Sequence, residues 1–112
     1  MSPATAAISP HTALAMLFHV TWEFIDLTEE GQRQTLTHFA RWQPGPGQFQ
    51  AFYGFADGRG GVALIEAQDA ATLARTMAPW TPWLRFEARV VLPVQESAQI
   101  SGEAAAWRAQ GG

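Results

Sequence analysis

The sequence has 112 residues, enough for one domain with one core. Its net charge of −3 comes with only seven basic residues, scattered along the chain, which excludes the clustered positive surface that nucleic acids or anionic membranes require. It has no cysteine, which excludes disulfides and thiolate chemistry, and a reducing cytoplasm is the expected compartment. Charged residues make up 15% of the chain, against roughly 25% in typical domains, yet there are five Trp and seven Phe. So few charges and so many rings imply that part of the surface is an interface or a pocket wall.

Residues 1–15 read as an N-terminal tail. They lack the basic region and the continuous apolar stretch of a signal peptide, and no run in the sequence reaches the length of a membrane span. His11 lies in this tail and is read as incidental. Residues 16–110 read as the folded domain.

The first strand is MLFHVTWEF, residues 16–24. Phe18, Val20, Trp22 and Phe24 alternate onto one face, and Leu17, His19, Thr21 and Glu23 onto the other. Thr28 is the expected N-cap of a first helix, with Glu29 and Glu30 where the helix dipole favours anions. This helix runs to about Trp42 and is stopped by Pro44 and Gly45. Its apolar stripe, Leu36, Phe39 and Ala40, is thin, and Gln32, Thr35 and His38 lie beside it. A second strand is expected over 48–56, placing Phe49, Ala51, Tyr53 and Phe55 on one face. The glycines of Asp57-Gly58-Arg59-Gly60 suit a tight hairpin to a third strand over 61–67. Asp69 caps a second helix over 70–78, carrying Leu73 and Met77 and ended by Pro79. The link Trp80-Thr81-Pro82-Trp83 leads to a fourth strand over 84–92. A last helix over 95–109 carries Ile100, Ala104 and Trp107, weakened by Gly102.

The order β-α-β-β-α-β plus a terminal helix predicts an α+β, ferredoxin-like domain with an antiparallel four-stranded sheet. Three segments carry a further resemblance: MLFHVTWEF with EEGQRQTL, FYGFADGRGGVALIEA, and APWTPWLRFEARVVLPV. Together they resemble a bacterial family of domains of unknown function, family 3303, of the dimeric α/β-barrel superfamily. The resemblance implies a homodimer in which two such sheets pack face to face into a barrel. It implies no catalytic residues, and the superfamily's range of activities makes functional transfer an analogy.

Several side chains invite a chemical reading. His19, Tyr53 and Glu66 are the candidates for proton transfer. Thr21, Trp22, His38, Trp80, Trp83 and Arg85 are the candidates for ligand contact, the tryptophans as walls for a planar molecule. No His spacing suits a metal, no phosphate loop or nucleophile elbow is present, and no cofactor is expected. Two functions compete. One is a small-molecule-binding dimer, which as an enzyme would be a cofactor-independent isomerase, cyclase or monooxygenase acting on a hydrophobic or aromatic substrate. The other is a non-catalytic dimeric sensor or structural accessory. The test set by the sequence is whether His19, Tyr53 and Glu66 meet in one cavity.

Overall fold

A computed structural model describes residues 15–43 and 47–111. The expected tail with His11 (residues 1–14) and the helix stop at Pro44 and Gly45 lie outside the described residues. The elements are β1 (Met16–Phe24), α1 (Glu29–Arg41), β2 (Gln48–Gly54), β3 (Gly60–Ala67), α2 (Ala70–Met77), a short 3-10 turn (Ala78–Trp80), β4 (Leu84–Val91) and α3 (Val94–Ala109). The four strands form one antiparallel sheet in the order β2-β3-β1-β4. This is the expected ferredoxin-like α+β fold with a C-terminal helix.

Register divides the sheet into two chemically different faces. Phe18 pairs with Ile65 and Val90, Val20 with Ala63 and Ala88, and Trp22 with Gly61 and Phe86. These positions face α1 and α2, and Phe18, Val20, Ala63, Ile65, Ala67 and Leu73 form the buried core. Gly61 has no side chain because the Trp22 ring occupies the space a Cβ would need. The open face alternates with this one and is read in rows across the sheet. Arg89, His19, Leu64 and Ala51 form one row; Glu87, Thr21, Val62 and Tyr53 form the next.

Four sequence expectations are corrected. Phe49, Ala51, Tyr53 and Phe55 do not share a face. A β-bulge between Phe49 and Ala51 inserts an extra residue, so Phe49 and Phe52 point toward the helices while Ala51 and Tyr53 point to the open side. The second strand also ends at Gly54 and not at residue 56, and it lies at the sheet edge. In the hairpin, Gly58 alone takes a positive φ, of 77°. Gly60 is already strand, and a Cβ there would strike the Trp22 carbonyl. Finally, Pro79 does not simply end α2 but sits in the 3-10 turn that delivers Trp80 to the interior.

The helix starts are as the sequence indicated. The Thr28 hydroxyl accepts from Gly31 N at 3.1 Å, and the Asp69 carboxylate accepts from Thr72 N at 2.8 Å. Buried Thr76 ties α2 to the start of β2: its Oγ1 accepts from Gly47 N at 2.9 Å and donates to the Thr72 carbonyl at 3.1 Å. Helix α3 has no buried residue; Val94, Ile100 and Trp107 along it are all exposed.

Candidate binding cavity

Helix α1 stands over the sheet on an inward face that is mostly small or polar. Gly31 and Thr35 are its buried residues, while Leu36 is 60% exposed. A helix built this way cannot pack flush against the strands by aliphatic contact. Aromatic side chains line the gap and leave a cavity of about 320 Å³ that is open to solvent on one side, where Leu36, Phe39 and Phe52 are exposed. Its floor comes from all four strands, including Trp22, Phe52, Ala63 and Phe86. Its roof is Thr35, Leu36, Phe39 and Trp42, and Met77 with Trp80 close one end.

The walls are set by edge and tilted ring contacts, the geometry that opposed quadrupoles favour. Phe52 lies between Phe49 at 4.9 Å and Trp22 at 5.2 Å, centroid to centroid. Trp42 meets Trp80 at 5.2 Å with the planes 78° apart. On the far side of Trp80 sits His38, perpendicular to it at 4.6 Å and stacked on Trp83 at 4.5 Å. His38 Nε2 is buried and has no hydrogen-bond partner among the described residues. His38 and Trp83 also border a second, more open recess, together with Glu30, Arg33, Gln34, Thr37 and Arg41. Arg33 there is engaged by Glu29 at 2.9 Å and Glu30 at 2.5 Å.

The sequence candidates fall into two groups on opposite sides of the sheet. Trp22 and Trp80 line the cavity, and His38 and Trp83 back its end wall. His19, Thr21, Tyr53, Glu66 and Arg85 belong to the open face. His19 there is half-buried between Leu64 and Arg89, with Glu66 diagonal to it beside Leu17. Glu66 accepts from Gln50 Nε2 at 3.2 Å, and Arg85 is ion-paired with Glu23 across the β1–β4 ladder. Tyr53 borders the cavity through its place on β2, but its ring is 66% exposed. Thus His19 and Glu66 lie on the open face away from the aromatic cavity, and Tyr53, on that face by register, touches the cavity only at its border. Sequence reading missed Phe39, Phe52 and Thr35 as cavity walls, whereas Trp42 is one of the tryptophans that residue type suggests for an aromatic pocket. The signal for Thr35 was present: Gly31, Thr35, His38 and Trp42 recur at helical spacing, so a small and polar stripe faces inward.

Among the described residues, no group of three or more His, Asp or Glu stands together in a way that would hold a metal ion. No helix among them is long and apolar enough to cross a membrane.

A ferredoxin-like α+β domain with an aromatic-walled cavity between its first helix and its sheet is the class of protein that these features define. Residues 16–105 match the family model of the domain of unknown function (DUF3303), and the chain belongs to that family. No curated protein matches the chain.

Proposed function

We propose that the protein binds a hydrophobic, aromatic small molecule in the cavity between α1 and the sheet, and that it does so as a homodimer paired through its open sheet faces. The observation that carries the binding reading is a cavity of about 320 Å³ with an almost wholly apolar lining, about half of it aromatic, within the size range of small-molecule sites. A core designed only for stability fills such space, since each void forfeits contact energy. The lining contains no Asp, Glu, Lys, Arg or His among the described residues, and its one phenol, Tyr53, is mostly exposed at the border, which supports binding in preference to catalysis in the cavity itself.

The dimer reading rests on the open face. Leu17, Val62, Leu64 and Val91 are only partly buried there, alternating with His19, Arg89, Glu87 and Glu66 in a pattern that suits a self-complementary contact. On this reading His19, Thr21 and Arg85 are interface residues. The cysteine-free composition supports action in the cytoplasm.

The test of the binding reading is titration of the full chain with prodan, a neutral naphthyl ketone whose emission shifts to the blue in apolar surroundings. Saturable binding near one molecule per chain is expected. Ala63, 2% exposed on the cavity floor, is the place to fill it: Ala63→Leu should abolish the blue shift while the cooperative unfolding transition persists. Equal binding by wild type and Ala63→Leu would place the dye elsewhere and remove the cavity's claim.

A further inference from the structure

The cavity's inventory of polar groups is narrow, and it narrows the ligand. Not one Asp, Glu, Lys, Arg or His is among the described residues that line it. An ion placed there would lose its hydration and meet no counter-charge, a cost that apolar contact does not offset. His38 packs against the Trp80 ring but is not among the residues that line the cavity.

The polar side chains that do line the cavity are the Thr35 hydroxyl and the indoles of Trp22, Trp42 and Trp80, besides Tyr53, whose register places it on the open face. Thr35 is 5% exposed and gives its proton to the Gly31 carbonyl at 3.0 Å. An indole nitrogen is a donor only. The backbone groups of the floor belong to paired strands. Apart from Tyr53, the lining side chains thus bring three N–H donors against one acceptor, the Thr35 oxygen, in a wall that is otherwise apolar.

We infer that the ligand is a neutral, flat aromatic molecule whose polar atoms are hydrogen-bond acceptors, such as ring ketone or ether oxygens, and is not an acid, an amine or a donor-rich phenol. This inference rests on the cavity being the binding site, as proposed above, and adds the chemistry of the occupant. A flat ring system continues the tilted and perpendicular contacts already present, from Phe39 against Trp42 at 31° to Trp42 against Phe49 at 81°. A volume of about 320 Å³ lies at the small end of ligand sites, which favours a few fused rings over a large polycycle.

The experiment compares three probes of one bicyclic size on the full chain at neutral pH, each competing against bound prodan. They are α-tetralone, which offers one carbonyl; tetralin, the same skeleton without it; and α-naphthoate, the anion. The expected order places α-tetralone about tenfold ahead of tetralin, the worth of one hydrogen bond in a dry site, with α-naphthoate weakest. Replacing the indole donors one at a time, as Trp22→Phe, Trp42→Phe and Trp80→Phe, keeps a ring in the wall and removes an N–H. At least one of these should erase the α-tetralone advantage while leaving tetralin binding within about twofold of wild type. Equal binding of α-tetralone and tetralin, or tightest binding by α-naphthoate, would overturn the inference and leave the cavity as the site. An advantage that survives all three replacements would also overturn it. If neither prodan nor any of the three probes binds, the cavity reading itself falls, and the inference with it.

Discussion

Ile65 and Leu64 are neighbours in the chain and the same kind of residue, yet they belong to different physical worlds. Ile65 is fully buried among the core side chains beneath the helices, while Leu64 looks out from the centre of the open face beside His19. The contrast extends over the whole sheet. One side has its charges removed and its rings packed edge to face. The other interleaves Leu17, Val62, Leu64 and Val91 with Arg85, Glu87, Arg89 and Glu66. The first pattern stabilises one chain and leaves a cavity; the second is the face proposed for self-association. Strand periodicity alone does not distinguish the two faces; the charges between the apolar residues do.

Ile65→Ala is the most direct way to break that comparison. It empties part of the core and should cost about 2–5 kcal/mol in denaturant unfolding, whereas Leu64→Ala should cost the single chain about 1 kcal/mol or less. Equal losses would mean that the open face is already packed as a core. Leu64→Lys sharpens the same contrast: a lysine at the middle of the proposed interface should weaken self-association by about 2 kcal/mol, read by sedimentation, with the secondary structure intact. Wild type sedimenting as a monomer at micromolar concentration would end the dimer reading.

A smaller effect is expected at His38. Its Nε2 lacks a partner within an aromatic stack, so His38→Phe removes an unmet polar group and keeps a ring against Trp83. Thermal unfolding should show the variant as stable as wild type or more stable by up to about 1 kcal/mol. A clear loss would reveal that the imidazole nitrogen is engaged.

The least effect belongs to two exposed aspartates. The Thr28 hydroxyl, then its amide, hold the Asp26 carboxyl below the ordinary aspartate range, and Thr72 does the same for Asp69. A proton therefore binds the unfolded chain more readily than the folded one. Their contribution is complete above roughly pH 4 and is lost as pH falls below it. Asp69→Asn should flatten the acid limb of a stability–pH curve without changing its neutral plateau greatly, since asparagine also caps helices.

The fold was largely legible because its signals are local. Alternation in MLFHVTWEF assigned Phe18, Val20 and Trp22 to one side, and Thr28 and Asp69 announced the helix starts through their side-chain oxygens. The β2 face was not legible, because one inserted residue at the bulge reverses every later position and leaves no mark in composition. The cavity was legible only in part. Trp22 and Trp80 could be suspected from residue type, but α1's stand-off depends on how Thr35, Phe39 and Trp42 meet rings from three distant strands.

The distribution of tryptophan gives the molecule two separate optical voices. Trp22, Trp42, Trp80 and Trp83 gather around the cavity and its end wall, with Trp42 and Trp80 close and nearly perpendicular, an arrangement that couples their excited states into a strong near-ultraviolet dichroic signal. Trp107 stands apart on α3, 61% exposed and emitting from water. Dichroism thus listens to the interior and red-edge fluorescence to the terminal helix, so events at the two ends of the chain register independently in one unlabelled sample.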